Sequence, residues 1–375
     1  MLLDNRALLF LPVGFLSFDS KASWDINMTE GVTDTSLAIY ELHMLTFYIC
    51  VAISVVVFGV MFWSMYHHRK SKGAVAKQFE ESTAIEILWT VIPTIILAAI
   101  AIPATATLIS IYDHEESVVD IQVTGYQWKW RYKYIGEDID YFSVFTTPES
   151  EIRNLQEKNI NYLLEVDNPL VVPINKKIRF LFTSNDVIHS WWVPALALKK
   201  DAIPGFINES STKINKPGIY RGQCAELCGK NHGFMPIVIK AVTDEEYSLW
   251  LAEKQQETKQ QALAATQDWD LSALIEKGED VYNKNCSACH QITGVGLPPV
   301  FPSLKGSPII KGAIKDHLDV VFNGKSGTAM SAFGAQLSAV DMAAVITYER
   351  NAWGNNSGDK LLPATVTTFM QGMEK

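Results

Sequence analysis

The chain has 375 residues, of which 48% are hydrophobic, and it carries a formal net charge of −9. This length is sufficient for two or three domains. The acidic balance argues against nucleic acid as a partner, because nucleic acid is bound by basic surfaces.

The N-terminal residues carry a hydrophobic run, "ALLFLPVGFLSF", that follows an arginine and precedes "SKAS". This pattern predicts a signal peptide over residues 1–23, with a weak cleavage site near residues 22–24. The alternative is a short interfacial segment that the mature chain keeps.

Two long uncharged segments follow, at residues 44–66 and 87–112. At about 1.5 Å per residue, each can cross a hydrocarbon layer about 30 Å thick. We predict a transmembrane hairpin with spans at about 43–66 and 86–110, within an N-terminal region of residues 24–112. The loop between them contains Arg69, Lys70, Lys72 and Lys77, which is typical of a cytoplasmic loop. Later residues then lie outside the cytoplasm.

The regions after the hairpin differ in their pattern of residue types. Residues 113–245 contain alternating runs such as "VVDIQVTGYQWKWRYKYI", which predict a β-sandwich or barrel. Residues 246–270 are polar and helix-favouring, and predict a helical linker. Residues 271–360 contain short helical segments with Gly/Pro-rich loops, which predict a separate all-α domain, and residues 361–375 are predicted to be a C-terminal tail. The chain is therefore predicted to be a multi-domain membrane protein.

The segment "CAELCGKNHGFM", residues 224–235, brings Cys224, Cys228, His232 and Met235 close together. A disulfide leaves the histidine and methionine unexplained, although it suits an oxidising compartment. Zinc prefers cysteine and histidine, whereas a thioether ligand indicates copper. A single blue-copper site needs only one cysteine, so two cysteines favour a pair of copper ions.

A copper pair needs a second imidazole. The β-region offers His114 and His189, and His189 follows a strong strand in "NDVIHSWWVPAL". The alternative role for His189 is a hydrogen-bonded core residue. We predict that it is a copper ligand.

Residues 24–250 resemble subunit II of haem–copper cytochrome c oxidases. The matching segments are "EILWTVIPTIIL", "GYQWKWRYKY", "LLEVDNPLVVP", "DVIHSWWVPALALKKDAIPG" and "GQCAELCGKNHGFMPI". The resemblance implies a cupredoxin domain with a binuclear copper centre, CuA, in which Cys224 and Cys228 bridge the metals. It implies that His189 and Met235 complete one copper. His232 and the backbone carbonyl of Glu226 complete the other, and the Glu226 carboxylate reaches a magnesium site shared with subunit I.

The same resemblance implies roles for Trp128 and Glu86. Trp128 matches the surface tryptophan through which electrons arrive, and its alternative role is an edge-strand aromatic. Glu86 matches the cytoplasmic mouth of a proton path into subunit I. Its alternative role is a helix-start carboxylate favoured by the helix dipole.

The motif "CSACH" at residues 286–290 is the attachment site of a c-type haem. Cys286 and Cys289 are predicted to form thioethers, and His290 to bind the iron. Met330 lies in a loop 40 residues after His290 and is the predicted second axial ligand.

Two other residues could take the axial position opposite His290. Met342 lies on a predicted helix, where a core role is expected. His317 is the second rival, and an imidazole there would lower the haem potential.

A subunit II fused to a cytochrome c domain resembles the caa type of bacterial oxidase. The resemblance implies that the chain receives electrons from a soluble or membrane cytochrome c donor in the bacterial inner (plasma) membrane. Its implied partners are subunit I, with haem a and copper B, subunit III and the lipid bilayer. Dioxygen reduction and proton pumping then take place in subunit I. The alternatives are a CuA-bearing nitric oxide reductase subunit and a membrane-tethered copper-delivery protein.

Overall fold

The computed structural model describes residues 27–75, 80–113 and 117–373. The predicted signal peptide, residues 1–23, and Lys77 lie outside these residues. Along the described chain, two long helices are followed by a β-domain, a connecting helix and a helical domain.

Two long apolar helices form the N-terminal hairpin. Helix α1 spans Asp34–His67 and helix α2 spans Thr83–Ile111. Both are long and apolar enough to cross a membrane, and the most apolar stretch of each is not buried by the rest of the described chain. Both predicted spans lie within these helices.

The β-domain contains ten strands and one short helix, α3, among the described residues. Their bounds are β1 Val119–Tyr126, β2 Lys129–Tyr134, β3 Ile139–Ser143, α3 Glu149–Ile152, β4 Leu170–Pro173, β5 Lys177–Ser184, β6 His189–Val193, β7 Leu198–Ala202, β8 Asn208–Lys213, β9 Gly218–Cys224 and β10 Pro236–Val242. One sheet has the order β3-β2-β1-β5-β8, and the other has the order β4-β10-β9-β6-β7. The pairs β1/β5 and β4/β10 are parallel, and the other pairs are antiparallel.

The core lies between the two sheets. Burial alternates along β5, because successive side chains point to opposite faces of a strand. Phe180 and Phe182 face inward and pack on Trp191 of the other sheet, with ring centroids 5.3 and 5.6 Å apart. Burial of such a phenylalanine side chain contributes about 1.5–3 kcal/mol. This contact holds β5 against β6, the strand that begins at His189.

The start of α1 is joined directly to the β-domain. Thr33 caps the helix, since its Oγ1 accepts a hydrogen bond from the backbone N–H of Ser36. The backbone N–H of Val32 donates to the carbonyl of Ala195, at 3.0 Å, and the Val32 carbonyl accepts from Asn215, at 2.9 Å. The membrane helix therefore begins on the surface of the β-domain.

Helix α4, Asp244–Ala264, follows β10 and packs against the first sheet. The Trp250 ring lies on Tyr134 and Tyr141, with centroids 5.1 and 6.3 Å apart. Further along the helix, Gln255 donates from Nε2 to Glu137 Oε2 at 2.7 Å. The predicted linker is thus largely a helix that is anchored on the β-domain.

The C-terminal domain is built from helices. They are α5 Leu271–Asn285, α6 Ser287–His290, α7 Pro308–Lys311, α8 Ile314–Asn323, α9 Ala339–Asn351 and α10 Pro363–Met373. Helices α5 and α9 cross at Gly278, where an added Cβ would lie 2.1 Å from the carbonyl oxygen of Ala344. Only glycine allows this close approach.

The predicted tail at residues 361–375 differs from the structure. Leu361 and Val366 are buried in the core of the C-terminal domain, and Phe369 and Met370 pack against it. Their helical spacing gives α10 an apolar face that covers α9. The predicted boundary at residue 360 therefore comes too early.

Candidate metal centres

Segments distant in sequence bring the predicted copper ligands together. His189 begins β6, Cys224 ends the adjacent strand β9, and Cys228 and His232 lie in the connection to β10. Met235 directly precedes β10, and its carbonyl accepts a hydrogen bond from the Cys224 N–H at 3.0 Å. Strand pairing therefore fixes where the ligands meet.

The sulfur and nitrogen atoms form a compact cluster. The two thiol sulfurs, of Cys224 and Cys228, are 3.8 Å apart. His189 Nδ1 lies 3.9 Å from Cys224 Sγ, and His232 Nδ1 lies 3.5 Å from Cys228 Sγ. Each sulfur thus has its own imidazole neighbour.

The remaining predicted ligands also border this cluster. The backbone carbonyl of Glu226 accepts a hydrogen bond from Cys224 Sγ at 3.4 Å, while the Glu226 residue is exposed. Met235 is buried, with 1% of its surface exposed. A backbone oxygen and a buried thioether are therefore available beside the thiols and imidazoles.

The thiols titrate as a pair. Their mutual hydrogen bond lowers the pKa of Cys224 and raises the pKa of Cys228. One thiolate is thus stabilised, while a second negative charge needs a bound cation. A metal ion supplies that charge, since the thiolate is the form that binds metal.

Asp186 is a functional residue that the sequence analysis missed. Its Oδ1 accepts a hydrogen bond from His189 Nε2 at 2.9 Å, so Nδ1 is free to face the thiols. Burial disfavours the charged imidazole, but the bonds to Asp186 and Cys224 outweigh it and raise the pKa of His189. The available signal was a carboxylate three residues before a predicted ligand.

The donor set fits a pair of copper ions. His189, Cys224 and Cys228 are all buried, and their ligand atoms lie within 4.8 Å of one another. Thiolate, thioether and imidazole are soft or borderline donors that suit copper. The arrangement around two adjacent sulfurs is chemically suited to one-electron transfer.

Trp128 lies beside this cluster. Its Nε1–H donates to the backbone carbonyl of Cys228 at 3.2 Å, and Gln127 Nε2 donates to the same oxygen at 2.8 Å. The indole is half-buried. A half-buried aromatic ring is therefore hydrogen-bonded to the backbone of a predicted copper ligand.

The second predicted centre lies where α5 meets α6. Cys286, Cys289 and His290 occupy one helical turn. His290 Nδ1 donates to the carbonyl of Pro302 at 3.0 Å, so its Nε2 is free to bind iron. This turn presents two sulfurs and one imidazole nitrogen together.

The surroundings of this turn fit a haem. Four apolar side chains after His290 have 46–71% of their surface exposed, and a porphyrin is a group able to cover them. They are Ile292, Val295, Leu297 and Val300.

The three candidates for the second axial position differ in environment. Met330 lies half-buried in a loop. Met342 is fully buried within α9 and belongs to the helical core. His317 is buried in the helical core, and its Nε2 is hydrogen-bonded to Glu349 at 2.8 Å. These environments favour Met330.

Glu86 lies in the first turn of α2. Its Oε1 is 3.5 Å from the backbone N–H of Ser82, the residue that precedes the helix. The carboxylate is exposed in the isolated chain. It is therefore available to a partner subunit at one end of the membrane helix.

Fold and site together define a membrane-anchored cupredoxin with a fused cytochrome c-type domain. The family "Cytochrome C oxidase subunit II, periplasmic domain" matches residues 119–242, and its transmembrane-domain counterpart matches residues 21–106. The chain belongs to the cytochrome c oxidase subunit II family. Residues 273–348 match the family "Cytochrome C oxidase, cbb3-type, subunit III".

Relatives from distant organisms cover the first two regions. Cytochrome c oxidase subunit 2 of Cyanidium caldarium is 38% identical over 241 residues, which are 63% of this chain and 93% of the relative. The probable subunit 2 of Rickettsia felis is 39% identical over 247 residues, 65% of this chain and 77% of the relative. Among solved structures, the periplasmic domain of subunit II of cytochrome oxidase of Bradyrhizobium japonicum is 39% identical. The match covers 39% of this chain and 99% of the solved chain, with a TM-score of 0.35.

The predicted family and fold class are confirmed by these matches. The chain is a component of a cytochrome c oxidase, with two candidate membrane helices followed by a periplasmic domain. An electron-transfer role is supported by the subunit II and cytochrome c-type matches, and both matches imply metal cofactors.

Proposed function

We propose that this chain receives electrons for a caa-type terminal oxidase. The chain would bind a covalent haem c and a binuclear CuA. These groups would supply the one-electron redox chemistry needed to pass electrons from a cytochrome c donor to subunit I. Subunit I would hold haem a and copper B, and the reduction of dioxygen to water with proton pumping would take place there. Subunit III and magnesium at the Glu226 carboxylate are part of the same proposal, as is a location in the bacterial inner membrane.

The observation that carries this proposal is the pairing of two adjacent thiols with two imidazoles. Cys224 and Cys228 provide sulfurs 3.8 Å apart, and His189 and His232 each face one of them. Two cysteines and two histidines alone could also hold a single zinc ion. The buried thioether residue Met235, whose carbonyl is hydrogen-bonded to Cys224, favours copper instead. Because His189 and Cys224 lie on paired strands and the other proposed ligands lie in the short connection between β9 and β10, the ligands would move little when an electron arrives.

The residues of this chain have separate tasks in the proposal. Asp186 orients His189, and the Pro302 carbonyl orients His290. Trp128 contacts the backbone of Cys228 and lies half-exposed, where a donor can reach it. The residues proposed as copper ligands are His189, Cys224, Glu226, Cys228, His232 and Met235, and those proposed for haem are Cys286, Cys289, His290 and Met330.

The order of reduction tests this function. In the assembled oxidase, flash reduction is expected to reduce haem c first and copper second. The second step is expected to be independent of dilution, because both groups belong to one chain. Time-resolved absorption of the haem and of the copper centre measures the order of reduction and the rate of the second step. Reduction of copper before haem, at a rate that rises with donor concentration, would contradict the proposed order.

Met330→His tests the axial ligand. Imidazole stabilises ferric iron better than thioether does, so the haem potential should fall. A tenfold change in the one-electron equilibrium corresponds to about 59 mV, and we expect at least this decrease. Redox titration measures it, together with loss of the methionine–iron absorption band. Met342→Leu is the control and should keep both properties. An unchanged haem potential in Met330→His would mean that Met330 is not the second axial ligand.

Glu86→Gln tests the proton path. The amide cannot carry a proton, so turnover of the assembled oxidase should fall about tenfold, which is about 1.4 kcal/mol in activation free energy. The copper and haem spectra should stay unchanged. Glu81→Gln, an exposed carboxylate just before α2, is the matched control. Equal turnover in both variants would leave Glu86 as a helix-start residue.

A further inference from the structure

A buried lysine connects the two metal-binding domains. Lys129 begins β2, directly after Trp128, and only 8% of its surface is exposed. Its Nζ donates to Asn285 Oδ1 at 2.9 Å, and Asn285 directly precedes Cys286. The side chain thus extends from the β-domain to the turn that carries the haem-attachment motif.

The ammonium group lies between aromatic rings of both domains. It is 4.6 Å from the ring centroid of Phe142 on β3 and 6.0 Å from that of Phe333 in the C-terminal domain. Both distances allow cation–π attraction. One charged group therefore contacts the β-domain and the helical domain together.

The environment of Lys129 is unusual for a buried lysine. Burial lowers the pKa of Lys129 to about 8. Within residues 27–75, 80–113 and 117–373, no carboxylate lies at ion-pair distance from its Nζ. Buried lysines are rare unless they are paired, because removal of the charge from water is costly. Asn285 and the two rings contact the ammonium group, and the negative charges of Asp167 and Asp186 also favour it.

The acceptor is oriented for this contact. Asn285 Nδ2 donates to the carbonyl of Val281 at 3.0 Å, one turn earlier on α5, so its Oδ1 points to Lys129. The acceptor oxygen next to the haem motif is therefore held toward the Lys129 amine by a hydrogen bond within α5.

The segment between the two domains, which is α4 and the residues after it, is also hydrogen-bonded to both of them. Thr258 of α4 donates to the carbonyl of Asp138, at 3.1 Å. After the helix ends, Lys360 of the C-terminal domain donates to Asp268 and to the carbonyl of Trp269, at 3.0 and 2.6 Å. The helical domain is thus attached at the linker and again at Lys129.

We propose that Lys129 is a positioning residue. It holds the turn that carries the haem-attachment motif, residues 286–290, against the surface of the β-domain around Trp128. This inference rests on the proposed function. In the docked arrangement the fused domain occupies the surface beside Trp128, so an external cytochrome delivers its electron to the helical domain and not to the copper domain directly.

Chemical labelling tests the contact without reference to activity. In the intact oxidase, Lys129 should resist reductive methylation of its amine. Lys133 lies on the same strand, is exposed, and should react readily. Asn285→Ala should raise the labelling of Lys129 and leave that of Lys133 unchanged. Equal labelling of the two lysines in the unmodified complex would overturn the proposal.

Electron transfer provides the second measurement. A hydrogen bond to a charged group is worth about tenfold in an equilibrium constant, so Lys129→Met should slow haem-to-copper transfer by about tenfold. Lys129→Arg should restore part of the rate, and Lys133→Met should have no effect. Lys129→Met combined with Asn285→Ala should be no slower than either single variant, because both remove one contact.

Additive effects of the two substitutions, or an unchanged rate in Lys129→Met with both metal spectra intact, would overturn the positioning role and leave the proposed function in place. Absence of the copper-pair or haem c spectrum from the unmodified protein would instead contradict the proposed function.

Discussion

Cys224→Ser is expected to abolish the paired copper signal. A serine hydroxyl is a hard, neutral donor that does not replace a bridging thiolate. The position is buried between His189 and Cys228, and no third thiol of the described residues belongs to this cluster to take its place. Copper content should fall from two ions per chain to one or none, and the mixed-valence signal should vanish from the electron paramagnetic resonance spectrum.

Cys50→Ser is the matched control for this experiment. Cys50 is an exposed cysteine on α1, away from the cluster, and its replacement should keep both coppers. Circular dichroism of the copper-free proteins separates loss of a ligand from loss of fold. If Cys224→Ser kept two coppers and the mixed-valence signal, Cys224 would not be a bridging ligand.

Trp128→Phe is expected to slow electron transfer from haem c to copper by about tenfold, or about 1.4 kcal/mol in activation free energy. Phenylalanine lacks the Nε1–H that bonds to the Cys228 carbonyl. It therefore removes the hydrogen bond between the aromatic ring and the backbone of a proposed copper ligand. Flash reduction of the assembled oxidase measures the rate, and both metal spectra should be unchanged.

Gln127→Leu distinguishes the indole from a simple hydrogen-bond donor. It removes the other hydrogen bond to the same carbonyl and leaves the Trp128 ring in place. Its transfer rate should stay close to that of the unmodified protein. Equal slowing in both variants would mean that the carbonyl needs donors and that the indole has no special part.

The candidate ligands could be proposed from sequence because most of them lie close together in the chain. Cys224, Cys228, His232 and Met235 lie within twelve residues, and the haem motif occupies five. The β-domain was equally visible, since alternating burial along strands such as β5 follows directly from alternating residue types. His189 is distant in sequence, and it was proposed only because a copper pair needs a second imidazole.

Contacts that depend on the folded conformation were not predictable in this way. Asp186 is only three residues from His189, but the residue types do not show that its carboxylate reaches Nε2. The hydrogen bond from Lys129 to Asn285 joins residues 156 positions apart, and no local pattern specifies it. The apolar face of α10 was present in the sequence, but its polar neighbours made the segment resemble a tail.

The junction between α1 and the β-domain determines how far the β-domain stands from the membrane. Helix α1 has 34 residues, which correspond to about 51 Å, whereas its uncharged residues 44–66 are enough to cross the roughly 30 Å of the hydrocarbon layer. The first turns of the helix, which carry Asp34 and Glu41, therefore extend beyond that layer. Because Val32 and Thr33 are bonded to the β-domain by backbone and side-chain hydrogen bonds, these turns act as a rigid spacer between the bilayer and the candidate copper site.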